Sequence, residues 1–90
     1  MAAYEVNVLS AARRDLRRLD DQIRKTIIDV MRALADHPRP PGVSAIKGHR
    51  AYLRVRSGDY RVIYAVDDRA QVITVARIQH RREVYRGLDL

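Results

Sequence analysis

The chain contains no cysteine, no tryptophan and no phenylalanine, and each absence narrows what it can be. Without cysteine it has neither a disulfide framework nor a thiolate metal site, so a reducing cytoplasm is the expected location. Without tryptophan and phenylalanine, its large apolar side chains must be leucine, isoleucine, valine and five tyrosines. The predicted core is therefore built from aliphatic residues and tyrosine.

Long hydrophobic runs are also missing. The N-terminal segment MAAYEVNVLSAARRDL has no apolar core of the length that a signal peptide needs. No stretch reaches the length of a transmembrane helix. We therefore expect a soluble protein without a membrane partner.

The motifs of several enzyme classes are absent as well. There is no glycine-rich phosphate loop, no Ser-His-Asp order that suggests a catalytic triad, and no carboxylate cluster on one element that would hold Mg²⁺. Asp67 and Asp68 are interpreted as turn residues, and His37 and His49 as surface residues in loops. The sequence thus predicts neither a metal nor another cofactor.

Positive charge is abundant. Eighteen basic residues, all but two of them arginines, stand against eleven acidic ones, which gives a formal net charge of +7 and a sequence pI near 10.5. Such an excess favours polyanions or an acidic protein partner. Arginine can hold a phosphate with two parallel hydrogen bonds, so the composition points to phosphate recognition without separating RNA, DNA and an acidic protein.

Ninety residues suffice for one domain with a single modest core, so residues 1–90 are interpreted as one domain. The segment YEVNV (4–8) predicts a short strand, and Ser10 is a candidate N-cap for an amphipathic helix. The pair Asp20 and Asp21 offers the cap of a second helix, which continues to about Asp36. The proline-rich segment 37–42 ends it. Together the two helices predict a helical hairpin.

The pattern then changes to that of strands. The segments AYLRVR (51–56), YRVIYAV (60–66) and QVITVARI (71–78) are rich in β-branched and aromatic residues, and SGD and DDRA between them are turn compositions. Three strands with short links predict an antiparallel meander. The order β-α-α-β-β-β indicates an α+β fold, with the helical hairpin packed on one face of an antiparallel sheet.

The turn after Arg56 carries the first candidate site residues. If Gly58 and Asp59 form a two-residue type II′ turn, Arg56 lies opposite Arg61, and Arg54 projects from the same face. Like charges opposite one another destabilise a hairpin by about 0.2–1 kcal/mol. These arginines therefore either extend into water or hold an anion.

The last strand and its exit add further candidates. A three-residue loop at 68–70 places Arg77 across from Arg61, whereas a four-residue loop places it on the other face. His80, Arg81 and Tyr85 follow at the strand's exit. Histidine exchanges a proton near neutral pH, and tyrosine donates a hydrogen bond or stacks on a base.

This combination suits RNA cleavage by internal attack. The ribose 2′-OH attacks the adjacent phosphorus, which requires a base, an acid for the leaving 5′-oxygen, and positive charge near the phosphorane. That route needs no metal. Read alone, the segment RIQHRREVYR (77–86) favours a solvated basic tail over a part of an active site.

The strings KGHRAYLRVRSGDYRVIYAVDD and ITVARIQHRREVYR resemble the RelE branch of the RelE/ParE toxins of bacterial toxin–antitoxin modules, and the predicted element order matches over essentially the whole chain. The resemblance implies a basic concave sheet face that enters the ribosomal A site and cleaves mRNA there. It also implies a cognate antitoxin that wraps the toxin, and a complex that binds operator DNA through the antitoxin.

By position, the resemblance implies that Arg61 contacts the scissile phosphate and that Arg81 is a second catalytic arginine. Because the C-terminal segment is shorter than in the best-known RelE proteins, His80 and Arg82 are alternatives for the position of Arg81. Tyr85 matches a tyrosine that stacks on or orients the base.

Arg54 falls where the family has a basic residue, often lysine, implicated in activating the 2′-OH. An arginine pKa above about 12 makes this residue a poor base, so His80 is the predicted proton carrier. Four cations complete the predicted RNA-binding set: Lys47, Arg56, Arg77 and Arg82.

Three interpretations remain open at this stage. The first is a ribosome-dependent endoribonuclease toxin, with Arg61 and Arg81 stabilising the transition state. The second is a ParE-like toxin that inhibits DNA gyrase without nuclease chemistry. The third is a basic module that only binds nucleic acid or an acidic protein. The helix arginines contact the ribosome or the antitoxin, or form a solvated face: Arg13, Arg14, Arg17 and Arg18.

Overall fold

The computed structural model describes residues 3–84, apart from the side chains of Arg50, Glu83 and Val84. The elements follow in this order: β1 (Glu5–Val8), α1 (Ser10–Arg17), α2 (Asp21–Asp36), β2 (Ser44–Ile46), β3 (His49–Ser57), β4 (Tyr60–Asp67), β5 (Val72–His80) and α3 (Arg81–Val84).

The helical hairpin is present as predicted, but its caps differ. Leu9, not Ser10, is the N-cap residue of α1, so the predicted Ser10 cap is wrong. The Leu9 backbone N–H donates instead to the carbonyl of Val75 at 3.0 Å, which fixes the start of α1 against β5. Asp20 is the N-cap of α2, yet its side chain makes no capping hydrogen bond. A tertiary contact rather than a side-chain cap therefore defines where α1 begins.

Arg24 joins the two helices. Its guanidinium donates to the carbonyls of Leu16 and Leu19 at 2.9 and 2.6 Å, and also to the Asp21 carboxylate at 2.7 Å. The last carbonyls of a helix have no partner within that helix, and cationic donors bind them favourably. One arginine on α2 thus completes the C-terminal end of α1 and closes the hairpin.

The strands form one five-stranded sheet in the order β1-β5-β4-β3-β2. The meander β3-β4-β5 is antiparallel as predicted, and the α+β class is confirmed. The sheet is mixed rather than wholly antiparallel because β1 pairs in parallel with β5. The three-residue strand β2, expected as loop, pairs antiparallel with β3. The apolar strand β4 occupies the centre, and its residues 61–64 are all buried.

The main core lies between the helices and one face of the sheet. Ile27 and Leu34 of α2 pack there against Val62 and Val75, all of them at most 1% exposed. Tyr64 is the largest fully buried side chain, and its hydroxyl donates to the Pro38 carbonyl at 2.6 Å. Tyrosine therefore takes the place of the absent phenylalanine and tryptophan.

A smaller apolar cluster lies on the opposite face of the sheet, which we call the open face. Ile46, Ile63 and Ala76 form it, and Tyr52 packs against it. Since side chains alternate along a strand, residues two positions away from Ile63 on β4 project from this same face. The open face is where the candidate site residues of β3 and β4 lie.

Candidate functional site

The turn between β3 and β4 has the predicted geometry. Ser57 pairs with Tyr60 and Arg56 pairs with Arg61, which leaves Gly58 and Asp59 as a two-residue loop. Gly58 has a φ of +59°, while Asp59 is not in the left-handed region. This combination is that of a type II′ turn, which favours glycine at its first central position.

Arg54, Arg56 and Arg61 project from the open face. The intervening side chains of Val55 and Val62 point into the helix-side core. Arg56 is exposed, and Arg54 is half-buried with its Nε donating to the Ser44 hydroxyl at 3.1 Å. The predicted convergence of these three arginines on one face is confirmed.

Arg61 differs from its neighbours because it is only 5% exposed. Its Nη1 donates to the carbonyls of Gly58 and Tyr60 at 3.3 and 3.1 Å. The guanidinium is therefore held beside the turn by backbone carbonyls.

Arg81 approaches the same turn from the end of β5. Its backbone N–H donates to the Asp59 carbonyl at 2.7 Å, and its Nε lies 4.0 Å from the Asp59 carboxylate. The side chain remains 59% exposed. The structure thus brings Arg61 and Arg81, which are distant in sequence, to one hairpin turn.

A hydrogen bond joins Arg82 to His80. Arg82 is exposed, and its backbone N–H donates to Nδ1 of His80 at 3.3 Å. His80 lies opposite Tyr60, and the two rings meet edge to face with centroids 5.3 Å apart. Tyr60 packs against the helix-side core, so His80 lies on the helix side rather than on the open face with Arg61.

Arg77 does not lie across from Arg61. Asp67 pairs with Val72, so the β4–β5 loop has four residues, and a register shift after Ile63 inserts one extra residue into β5. As a result Gln79, which the sequence did not single out, lies opposite Arg61. The guanidinium of Arg77 contacts Asp15 of α1, and its phosphate-binding role stays a prediction.

Lys47, Asp67 and Asp68 also lie within the described part of the chain. Lys47 is exposed in the turn between β2 and β3. Tyr85 lies outside the described residues. Asp68 is a turn residue as expected, whereas Asp67 is the last residue of β4 and pairs with Val72, so its predicted turn position is wrong. The Asp67 carboxylate accepts from the Ala70 N–H at 2.9 Å.

Asp68 is the centre of an exposed polar cluster at the far end of β4. Arg39 donates to both of its carboxylate oxygens at 3.1 and 2.9 Å, and the Tyr4 hydroxyl donates to one of them at 2.7 Å. The hydrogen bond from Arg39, and then that from Tyr4, lower the pKa of Asp68 below its usual value. The same bond to Asp68 raises the pKa of Tyr4. This cluster joins β1, the α2–β2 connection and the β4–β5 loop.

A cleft of about 400 Å³ runs between α1 and the end of β5. Its lining combines cations, aromatic rings and one carboxylate, and includes Asp15, Arg18, Tyr60, Arg77, Gln79 and His80. Beyond Val75 the strand β5 has no pairing with β1, so this cleft follows an edge that α1 covers in part.

Residues 3–84 contain neither a candidate metal cluster nor a membrane-spanning helix. No group of three or more histidine and acidic side chains there could hold a metal ion. In the same residues, no helix is long and apolar enough to cross a membrane.

Comparison with known proteins decides the family. The sequence model of the ParE toxins of type II toxin–antitoxin systems (parDE) matches residues 6–85. The chain belongs to this toxin family. The resemblance predicted from the KG, YLRVRSGDYRVIY and HRREVY segments is thereby confirmed.

Curated relatives place the toxin near proteins with RelE-type names. It is 30% identical over 86 residues to toxin RelG of Mycobacterium tuberculosis, covering 92% of this chain and 97% of RelG. It is 32% identical over 84 residues to toxin RelE of the same organism, covering 92% and 87%. The toxin in the solved RelBE2 toxin–antitoxin complex of M. tuberculosis superposes with a TM-score of 0.78 at 25% identity, over 87% of this chain and 98% of that one.

Proposed function

We propose that this RelE/ParE-family toxin is a ribosome-dependent endoribonuclease that cleaves mRNA in the ribosomal A site and so inhibits translation. The observation that carries the proposal is the meeting of Arg61 and Arg81 at the Gly58–Asp59 turn. Arg54 and Arg56 extend the positive charge along the open face from that turn. Such a surface suits the RNA backbone.

The proposed reaction needs no metal. The 2′-oxygen forms a bond to the phosphorus as the bond to the 5′-oxygen breaks, giving a 2′,3′-cyclic phosphate and a free 5′-hydroxyl. A base takes the 2′-OH proton and an acid supplies one to the leaving oxygen. Negative charge grows on the phosphorane, and arginines held in position stabilise it without reorganising.

Arg61 and Arg81 are the proposed electrostatic residues. Arg61 is fixed by its two backbone carbonyls, while Arg81 is exposed and available to the substrate. Neither can act as a base, because an arginine guanidinium keeps its proton at neutral pH. His80 and Tyr85 remain the predicted proton-transfer and base-stacking residues. His80 would act from the side of Tyr60 rather than from the open face.

Primer extension on mRNA from a translating extract tests the activity. We expect cuts within ribosome-engaged codons when the wild-type toxin is present, and none in the same RNA without ribosomes. Arg61→Ala should abolish the cuts. Arg69→Ala is the matched control, because Arg69 is an exposed arginine at the opposite end of β4. Uncut mRNA with wild-type toxin would refute the proposal.

A cognate antitoxin is the proposed partner. The toxin carries a net charge of +7, which an acidic and partly disordered protein segment would complement. The related M. tuberculosis toxin was solved in a toxin–antitoxin complex. We expect co-purification of a small acidic protein from the host, loss of toxicity on its coexpression, and binding of the complex to operator DNA through that protein. Action on ribosomes would place the toxin in the cytoplasm.

Gyrase inhibition is a second candidate. The matching family is described as the ParE toxin of parDE, and the buried state of Arg61 is compatible with a toxin that has no nuclease site. A supercoiling assay separates the two functions. Inhibited supercoiling together with intact mRNA in the translating extract would favour this candidate.

A further inference from the structure

Gln79 is a buried polar residue with an unsatisfied acceptor. It is 9% exposed, and its Oε1 has no hydrogen-bond partner in the described structure. Buried side-chain oxygens in proteins are normally bonded, because leaving them unpaired costs free energy. The acceptor therefore requires an explanation.

Within residues 3–84, nothing donates a hydrogen bond to the carboxamide oxygen of Gln79. Its neighbours along β5, Ile78 and His80, point to the helix side, where Ile78 packs in the core. An apolar side chain of similar size would fill the same space without an unpaired oxygen. A donor from outside the described chain would satisfy it.

The position of Gln79 indicates what that donor belongs to. Gln79 lies directly opposite Arg61, so the two side chains share the open face. It also lines the cleft of about 400 Å³ at the end of β5, which gives a ligand a route to it. Gln79 is thus both a lining residue of that cleft and the cross-strand neighbour of the arginine proposed to bind the scissile phosphate.

We propose that Gln79 is a substrate-binding residue, whose carboxamide oxygen accepts a hydrogen bond from a donor on the RNA nucleotide whose phosphate Arg61 binds. This inference rests on the proposed ribonuclease function. Two groups of a nucleotide supply such a donor: the ribose 2′-hydroxyl, and the amino or imino groups of the base. A ribose contact would act alike at every codon, whereas a base contact would favour some codons.

The test compares Gln79→Leu with the wild type by primer extension across many codons in a translating extract. Loss of one hydrogen bond should slow cleavage by about three- to tenfold. A uniform loss supports the ribose contact, and a changed distribution among codons supports the base contact. Gln22→Leu, which removes an exposed glutamine on α2, is the control.

Thermal unfolding of the same variants separates this role from a structural one. Gln79→Leu should unfold at the wild-type temperature or higher, because the unpaired acceptor is gone. A fall in unfolding temperature with a matching fall in cleavage would overturn the inference. So would wild-type cutting with an unchanged rate and pattern in Gln79→Leu. If the wild type cuts no mRNA, the proposed function itself fails and the inference falls with it.

Discussion

Asp15 of α1 holds Arg77 of β5 through two hydrogen bonds, at 2.8 and 3.2 Å, across 62 positions of sequence. The same carboxylate accepts the backbone N–H of Ile78 at 2.9 Å, and its side chain is only 10% exposed. One acidic residue therefore satisfies a cation and a strand-edge amide at once. This contact fixes α1 along the part of β5 that β1 does not cover.

Asp15→Ala should destabilise the toxin by about 2–4 kcal/mol, because it leaves the Arg77 guanidinium and the Ile78 amide without this acceptor. Alanine is the better helix former, so the loss cannot come from helix propensity. Chemical denaturation measures the change. Asp29→Ala, at an exposed position of α2, should stay within about 0.5 kcal/mol of the wild type. Equal stability of the two variants would show that the contact contributes little.

Tyr64→Phe should lower the free energy of unfolding by about 1–2 kcal/mol. The change removes the hydroxyl that donates to the Pro38 carbonyl and keeps the buried ring. Tyr52→Phe is the control, since Tyr52 is half-buried and its hydroxyl makes no hydrogen bond in the described structure. A larger loss of stability in Tyr52→Phe than in Tyr64→Phe would contradict a stabilising role for the hydrogen bond from Tyr64 to Pro38.

Stability at high pH should also depend on Tyr64. Burial raises its pKa above 10.0, so the folded state binds this proton more tightly than the unfolded chain does. The resulting stability is present below pH 10 and is lost as the pH rises through the folded-state value. Denaturation from pH 8 to pH 11 should show a steeper loss in the wild type than in Tyr64→Phe. Parallel stability curves for the wild type and Tyr64→Phe would argue against the raised pKa of Tyr64.

The Asp68 cluster predicts a dependence on acid. Arg39 and Tyr4 lower the pKa of Asp68 below 3.8, so the unfolded chain binds its proton more readily than the folded toxin does. The stabilisation is present above pH 3.8 and disappears as the pH falls through the pKa of Asp68 in the folded toxin. Asp68→Asn should therefore unfold at a lower temperature than the wild type at pH 7, and the gap should close in acid. Asp36→Asn, an exposed control, should show no such gap.

The features that the sequence predicted correctly are those that local chemistry determines. The 3.6-residue apolar period of α1 and α2 and the glycine of the Gly58–Asp59 turn act over a few residues, and both appear as expected. The face shared by Arg54, Arg56 and Arg61 follows from that turn and from strand alternation. The family resemblance predicted that Arg61 and Arg81 belong to one site. The hydrogen bond from the Arg81 N–H to the Asp59 carbonyl is the contact that brings Arg81 to the turn beside Arg61.

The missed features depend on contacts between distant segments. The parallel pairing of β1 with β5 joins the two ends of the described chain, and no local pattern specifies it. The four-residue loop and the extra residue in β5 each shift the register by one position, and together they place Gln79, rather than Arg77, opposite Arg61. A one-residue shift reverses which side chains share a face, so loop composition alone could not decide it. The sequence also did not indicate that Asp15, which stands among the arginines of α1, is a partner of Arg77.

Arg81 and Arg82 differ in how they meet the candidate site, and this difference can be tested. The Arg81 side chain lies near Asp59 at the turn that holds Arg61, whereas the bond that Arg82 makes to His80 involves its backbone. Arg81→Ala should reduce mRNA cleavage by about 100-fold or more, as expected for loss of one electrostatic contact to the transition state. Arg82→Ala should retain most of the activity. Because both side chains are exposed, each variant should keep wild-type stability within about 0.5 kcal/mol. The reverse order of activities in primer extension would assign the catalytic position to Arg82 and move the site away from the Asp59 turn.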